Sequence, residues 1–293
     1  MRLPKSIAAS NIAIVGLGLM GGSMALALRG RCHTLSGCDI DPTTLDLAQR
    51  WNLADGLSSH PKDALAGADV IILAVPVRRI LAYLQDLPAL FEGQALVLDL
   101  GSTKAQILQA MAQLPDRLDP IGGHPMCGKE TSSLAHAEAG LYQGAPFALS
   151  ALERSSPQAR SLAEEIVRLI GARPLWIDAG LHDAWTAATS HLPYLVASAL
   201  VRSIQEDAQP LIGPGFRSTS RLAGSDLTMM TDILLTNRER VLEALDRFQG
   251  RLSNLQDAIR SDDEADLVMQ LHLGKQRYEN LVAPGQERKA ANR

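Results

Sequence analysis

The first half of the chain alternates short apolar runs with segments of helical period. Short, largely apolar runs bounded by turn residues are typical of buried parallel strands, and helices fit between them. The predicted strands are Ile12 to Val15, Leu35 to Asp39, Val70 to Val75, Ala95 to Leu100, Leu118 to Ile121, Phe147 to Leu149 and Leu175 to Ile177. The predicted helices are Met20 to Leu28, Thr43 to Trp51, Thr103 to Leu114 and Pro157 to Ile170. This alternation predicts an α/β domain with a doubly wound parallel sheet.

The pattern changes after Asp178, where long segments of helical period replace the strand-like runs. One such segment extends from His182 to Ile204, and Asn237 is a candidate N-cap for a later one. That later helix carries an apolar seam with spacings of four and three, namely Val241, Leu245, Phe248, Leu252, Leu255 and Ile259. The seam fits an internal bundle helix, a contact with a second subunit, or both. We expect two domains, residues 1–179 and an all-helical domain of residues 180–293.

A glycine motif directly follows the first predicted strand and opens a helix. It reads Gly16-Leu17-Gly18-Leu19-Met20-Gly21. In such a loop the first glycine permits a tight turn, the second admits a pyrophosphate to the backbone, and the third lets helix and strand pack closely. The strand before it and the helix after it predict a Rossmann-type dinucleotide site at Gly16, Gly18, Leu19, Met20 and Gly21. A glycine-rich turn with packing value alone is the alternative.

Asp39 ends the second predicted strand, 23 residues after Gly16. A carboxylate at this position accepts hydrogen bonds from the adenosine ribose hydroxyls and repels a 2′-phosphate. No arginine follows directly, because the next residues are Ile40, Asp41 and Pro42. We therefore expect NAD as the cofactor and NADP as less favoured. The alternative is that Asp41 or the helix cap, and not Asp39, uses the carboxylate locally.

Composition narrows the class of protein. The 293 residues are 46% hydrophobic and 20% charged, with a net charge of −4, which gives no general electrostatic reason to expect nucleic acid or a membrane as partner. Three cysteines form no CxxC pair and no zinc spacing, and they suit a reducing compartment. The N-terminal residues are too polar for a signal peptide. A cytoplasmic protein without a metal is expected.

Four further segments carry candidate chemistry. The first two directly follow predicted strands, where open α/β sheets bind ligands. They read DLGSTK at 99–104, GGHPMCGKE at 122–130, SHLPY at 190–194 and GFRSTSR at 215–221. Each has an ordinary structural explanation as well. His124 could be a structural histidine, Ser102 could cap a helix, and Arg217 and Arg221, four residues apart, could share a solvated helix face.

Together with the glycine motif GLGLMGGS at 16–23, these segments resemble the prephenate/arogenate dehydrogenase family in order and separation. The resemblance implies an enzyme of tyrosine biosynthesis that transfers hydride from the ring carbon bearing the hydroxyl to NAD while CO₂ leaves from the opposite carbon. It implies a homodimer formed by the helical domain. It also assigns the proton acceptor to His124, its partner serine to Ser102, and substrate contacts to His191 and Arg221, with Arg217 one helical turn away.

The family pattern is not matched everywhere. Where the family often reads FRDTTR, SDP and MW, this chain has Ser218, Leu227 and Met230. These positions lie near the proposed substrate arginine, so the choice between prephenate and arogenate stays open.

Two other functions fit parts of the pattern. A β-hydroxyacid dehydrogenase-like enzyme also joins such a glycine motif to a helical half, but its chemistry needs a lysine that is absent between His182 and Ile204. A non-catalytic NAD(H)-sensing protein would have no use for His124, Ser102 and Arg221 together.

Overall fold

The computed structural model describes residues 3–129 and 131–282. These residues form an eight-stranded sheet with the strand order β3-β2-β1-β4-β5-β6-β7-β8. The strands are β1 (Asn11–Val15), β2 (Thr34–Cys38), β3 (Gly56–Ser58), β4 (Val70–Leu73), β5 (Ala95–Asp99), β6 (Leu118–Pro125), β7 (Pro146–Ala151) and β8 (Arg173–Trp176). The first six pair in parallel, and β7 runs antiparallel to β6 and parallel to β8. The predicted Rossmann-type sheet is confirmed, with β3 as an edge strand that the sequence pattern did not indicate.

Helices connect and follow the strands. In the first half they are α1 (Leu19–Leu28), α2 (Pro42–Arg50), α3 (Pro61–Leu65), α4 (Val77–Leu90), α5 (Ala105–Met111) and α6 (Pro157–Leu169). Later helices are α7 (Ala179–Thr186), α8 (Leu192–Ser203), α9 (Pro214–Ser220), α10 (Leu227–Thr236), α11 (Arg238–Arg260) and α12 (Glu264–Leu281). The segment predicted as helical from residue 182 onward is thus α7, a π turn at Ala187–His191, and α8.

Local sequence explains several helix ends. The Asp41 side chain accepts a hydrogen bond from the Thr43 N–H at the start of α2, and the Ser156 side chain accepts one from Ala159 at the start of α6. Both helices begin with proline, which has no N–H to satisfy in the first turn. After α6, Gly171 takes a φ of +79°, the left-handed conformation that commonly ends a helix.

The apolar core lies on both faces of the sheet. In β1 the side chains of Ile12 and Ile14 join one buried cluster, while Ala13 and Val15 join the other. Because side chains alternate along a strand, this division means that both faces are covered. Burial on both faces explains why the central strands read as continuous apolar runs.

The chain forms two compact units, one extending to Val241 and one beginning at Leu242. Within the first unit, side chains of helix α10 contact residues of the sheet domain. The Thr103 and Thr236 hydroxyls are 3.0 Å apart, and an ion pair joins Arg78 of α4 to Asp232 of α10 at 3.3 Å. The division into functional domains near residue 179 stays a prediction.

The second unit contains most of α11 and α12. Along the predicted seam of α11, Leu252 is 55% exposed and Ile259 is 66% exposed. Large apolar side chains of α12 are exposed as well, namely Val268, Met269, Leu271, Leu273, Tyr278 and Leu281. Packing inside a helical bundle therefore does not account for the part of the seam that includes Leu252 and Ile259, because both side chains are exposed. Across residues 3–129 and 131–282, none of the helices combines the length and apolar character needed to cross a membrane.

Candidate active site

The glycine loop between β1 and α1 has the geometry of a phosphate cradle. Gly16 has a φ of +93°, and a Cβ there would lie 2.6 Å from the carbonyl oxygen of Ala74. A Cβ on Gly21 would overlap the Gly16 carbonyl, whereas one on Gly18 would meet no protein atom within 4 Å. The loop is therefore tightly packed at its two outer glycines and open at the middle one. The N-terminus of α1, which has no side-chain cap, begins directly after that opening.

The start of α1 is held from behind. The hydroxyl of the fully buried Tyr142 donates a 2.7 Å hydrogen bond to the carbonyl of Met20. Leu19 and Met20 are the first residues of the helix, so this bond fixes the first turn of α1. The residues present thus fit a dinucleotide pyrophosphate.

Asp39 lies immediately after β2 and is half-buried. Its Oδ2 accepts a 2.7 Å hydrogen bond from the Leu17 N–H, and its Oδ1 accepts one of 3.0 Å from the Asp41 N–H. The carboxylate therefore shapes the glycine loop, a role that the sequence did not indicate. Each oxygen retains capacity for a second donor, so the same side chain can also receive ribose hydroxyls. Asp41 is used separately, as the cap of α2.

A buried ion pair that the sequence did not indicate lies at the end of β5. Asp99 and Lys104 are both fully buried, and the Lys104 ammonium donates to Asp99 Oδ2. The Asp99 carboxylate also accepts from the Gly101 N–H at 2.7 Å and from the Gly123 N–H at 3.0 Å. Burial raises the pKa of Asp99 and lowers that of Lys104, and the partner's charge opposes each change. Through these two bonds the ion pair fixes Gly101, which precedes Ser102, and Gly123, which precedes His124.

His124 lies in β6, one residue after this anchored Gly123. A Cβ on Gly123 would lie 2.5 Å from the Asp99 carbonyl oxygen, so only glycine permits this close approach. Burial lowers the pKa of His124 well below its usual range, and the charges of His182, Lys104 and His191 act in the same direction. The imidazole is consequently neutral near pH 7 and can accept a proton. The side chain is largely buried but keeps some exposed surface, as a group that meets a substrate must.

Behind His124 lies a second histidine that sequence reasoning missed. The Nδ1 atom of His124 is 2.9 Å from Nε2 of the buried His182, and the rings meet edge to face. The Nδ1 atom of His182 is in turn 2.8 Å from Asp183 Oδ1. The two Asp183 oxygens also accept the Lys104 and Ala105 N–H groups at the start of α5. Asp183 thus caps α5, and the structure does not support a capping role for Ser102.

His191 ends the π turn and is buried. The Asn237 side-chain nitrogen donates a 2.7 Å bond to the Asp183 carbonyl, which fixes the orientation of the amide, and lies 3.3 Å from His191 Nδ1. Nδ1 of His191 must therefore accept, and its proton is on Nε2. Burial lowers the pKa of His191 to about 4, with Asp183 opposing and His182 assisting that change. His191 is a neutral hydrogen-bond donor. Single-turn π helices of this kind are frequent at functional sites.

The other predicted contacts lie in loops and short helices. Ser102 is half-buried between β5 and α5. Arg217 is exposed on α9, and Arg221 is exposed at the start of a 3₁₀ turn, both elements packing against α8. Their spacing of four residues would place the two arginines on one face of an α-helix. In the structure α9 ends at Ser220, so they do not share one continuous α-helix. Met230 is buried against Tyr194 and Ile233.

The structure brings His124 and His191 into one buried cluster with His182, Asp183 and Lys104. A histidine followed by aspartate at the start of a helix was the available signal for the missed pair, but it has no distinctive spacing. In the described part of the chain, no group of three or more His, Cys, Asp or Glu side chains is arranged to hold a metal ion.

Comparison with known proteins identifies relatives along most of the chain. The cyclohexadienyl dehydrogenase of Zymomonas mobilis is 30% identical over 86% of this chain and 89% of its own length. A prephenate dehydrogenase from A. aeolicus, solved with hydroxyphenyl propionate and NAD⁺, superposes with a TM-score of 0.85 at 29% identity, covering 93% of this chain and 98% of that one. A Synechocystis arogenate dehydrogenase superposes with a TM-score of 0.81 at 29% identity, covering 93% and 100%.

Family models match both halves. The model for the nucleotide-binding domain of prephenate dehydrogenase matches residues 24–175, and the model for its dimerization domain matches residues 178–273. The first of these alone spans more than half of the chain. The sheet order and the open glycine loop agree with the match, and the chain belongs to the prephenate dehydrogenase family.

Proposed function

We propose that the protein is an NAD-dependent dehydrogenase that oxidatively decarboxylates prephenate or arogenate in tyrosine biosynthesis. The observation that supports the reaction best is His124, a neutral imidazole held at the carboxyl edge of the sheet. Its neighbour strand β5 and the glycine loop after β1 open on the same edge, so a nicotinamide and a proton acceptor can meet one substrate.

The reaction balances without an added base or metal. When bound, NAD⁺ supplies a nicotinamide ring that accepts a hydride. His124 accepts the hydroxyl proton as the hydroxyl-bearing ring carbon becomes carbonyl-like. The bond to the carboxyl group on the opposite ring carbon breaks, CO₂ leaves, and the electron pair of that bond completes the aromatic ring. His124 then returns its proton to the phenolic oxygen, so there is no net proton change on the enzyme.

Three further side chains would orient the substrate. His191, a donor through Nε2–H, and the half-buried Ser102 suit the ring hydroxyl or a substrate oxygen. Arg221 suits the side-chain carboxylate, because a guanidinium binds a carboxylate through two parallel hydrogen bonds. Arg217 is the second candidate for this contact. Its position on α9, against the helix that follows His191, supports a place at the same end of the site.

We propose that the cofactor is NAD rather than NADP. The Asp39 carboxylate, anchored by the Leu17 N–H, would repel a 2′-phosphate at the ribose. A preference of at least roughly tenfold in kcat/KM for NAD corresponds to about 1.4 kcal/mol.

We further propose a cytoplasmic homodimer. The match of residues 178–273 to a dimerization domain and the exposed apolar side chains of α11 and α12 support the contact. Obligate interfaces of this kind bury roughly 2,000 Å² or more. Light scattering should give about twice the chain mass of 31.5 kDa at micromolar concentration. The free cysteines Cys32, Cys38 and Cys127 suit a reducing compartment.

Absorbance at 340 nm with each substrate and each nucleotide tests the activity. NADH should form with prephenate, arogenate or both, and His124→Asn should lower kcat by about 10²-fold or more while NAD affinity is retained. Absence of NADH formation with both substrates would refute the proposal. A near-normal kcat in the variant would remove His124 from the mechanism.

A further inference from the structure

The hydrogen bonds behind His124 have a defined direction. Asp183 is acceptor-only as a carboxylate, so the short contact from its Oδ1 to His182 Nδ1 places a proton on that nitrogen. In a neutral His182 ring the other nitrogen, Nε2, is then an acceptor. Nε2 of His182 faces Nδ1 of His124 at 2.9 Å, so His124 must carry its proton on Nδ1. Its second nitrogen, Nε2, is left with a free lone pair.

We propose that His182 and Asp183 are positioning residues that hold His124 in the tautomer with an unprotonated Nε2. The inference rests on the proposed role of His124 as proton acceptor. Neither residue needs to touch the substrate, because both act through the His124 ring. An aspartate that bonds the Nδ1–H of a catalytic histidine performs the same task in serine proteases, where it fixes both tautomer and orientation. In this chain a second imidazole stands between the aspartate and the base.

The surroundings of the pair make the arrangement rigid. Both His182 and Asp183 are buried, at 2% and 1% exposure. Asp183 is fixed by two backbone N–H groups at the start of α5, and its own carbonyl accepts from the Asn237 side chain. The donor and acceptor roles along Asp183, His182 and His124 are therefore set by an aspartate that backbone N–H groups hold in place. If His182 instead donated to His124, it would need protons on both of its nitrogens. The resulting positive charge would be unfavourable in a buried cluster that already contains Lys104 and His191.

Nitrogen NMR of the full-length protein labelled with ¹⁵N-histidine tests the tautomer directly. At neutral pH the His124 signals, assigned by their loss in His124→Asn, should show a protonated Nδ1 and an unprotonated Nε2. The proposal is overturned if the proton lies on Nε2 of His124. This measurement needs neither substrate nor cofactor.

A matched pair of substitutions tests the consequence for catalysis. In His182→Gln the amide oxygen can still accept from His124 Nδ1–H, whereas in His182→Leu no acceptor remains. In both variants the Asp183 oxygens keep their bonds from the Lys104 and Ala105 N–H groups, so the start of α5 stays capped. The Leu variant should have a kcat lower than that of the Gln variant by roughly 10- to 100-fold. KM for the substrate and NAD affinity should agree within about twofold between the two variants.

The outcomes separate the positioning role from the proposed function. Equal kcat in the two variants, or a loss confined to KM, would overturn the positioning role. If the Leu variant does not fold, the tautomer of His124 in the wild type and in His182→Gln decides the question. A wild type that shows the expected tautomer but oxidises neither prephenate nor arogenate would contradict the proposed function and leave the hydrogen-bond assignment intact.

Discussion

The buried His191 should make the protein sensitive to mild acid in a way that one substitution can isolate. Burial lowers its pKa from 6.5 to about 4, so between these values the unfolded chain binds a proton that the native state does not. The free energy of unfolding therefore rises with pH in this window, by about 1.4 kcal/mol per unit for one such group. Above pH 6.5 the side chain contributes no pH dependence, because it is neutral in both states.

The magnitude follows from the width of the window. From pH 7.5 to pH 5 only the part below 6.5 counts, which is about 1.5 units and so about 2 kcal/mol. His191→Asn removes the titration but keeps an oxygen near the position of Nδ1, where the Asn237 amide can still donate. The wild type should lose about 2 kcal/mol more than the variant on this change of pH. His124 titrates in both proteins, and burial, the main cause of its lowered pKa, is retained in the variant.

Urea denaturation at half-unit pH steps, at one fixed protein concentration, measures the difference. The concentration must be constant because association of subunits changes apparent stability. Only the change in the free energy of unfolding with pH is compared, so a lower starting stability of the variant at pH 7.5 does not affect the result. The exposed His60, replaced by Asn, serves as the control and should follow the wild type. Parallel curves for wild type and His191→Asn would show that His191 does not titrate between the native and unfolded states in this pH range.

Other predictions concern the nucleotide, the substrate and the packing. Asp39→Ala should lessen the preference for NAD over NADP, measured as kcat/KM, and an unchanged ratio would mean that this carboxylate does not face the ribose. Arg221→Ala should chiefly raise KM, by roughly 1.5–3 kcal/mol of lost binding, while the same change at Arg217 should have the smaller effect; the opposite order would exchange their roles. Gly123→Ala should destabilise the protein by roughly 1–3 kcal/mol in thermal unfolding, because its Cβ would press on a backbone carbonyl, whereas Gly140→Ala meets open space.

The sequence pattern predicted the sheet well where strands are buried on both faces. Such strands must be apolar throughout, so β1, β4 and β5 are visible as continuous runs. The edge strand β3 was missed because it has only three residues and is partly exposed. Helix α5 begins at Ala105 and not at Thr103, because its first N–H groups bond to Asp183, which lies almost 80 residues later in the chain.

The site residues that could be predicted belong to local motifs, and those that could not be predicted depend on contacts between distant parts of the chain. Gly16, Gly21 and His124 belong to local motifs, and the structure gives each a local physical reason. Lys104 ends the segment DLGSTK, but its ion pair with Asp99 could not be predicted, since a fully buried lysine is rare and the sequence does not reveal burial. The bond between His182 and His124 joins residues 58 positions apart and depends on how α7 docks beside β6. No spacing rule encodes such a contact.

The π turn at Ala187–His191 contains one residue more than a regular α-helix would need between His182 and His191. Nine steps of an ordinary α-helix separate His182 from His191 and would turn them by about 900°, onto opposite sides. A π turn absorbs about one residue, so the effective rotation is about 800° and both imidazoles face the same cluster. Deleting Ala188 would restore a regular helix of eight steps, again about 800°, and keep both histidines in place. The wide turn therefore marks a position where this helix can lose a residue without losing its alignment.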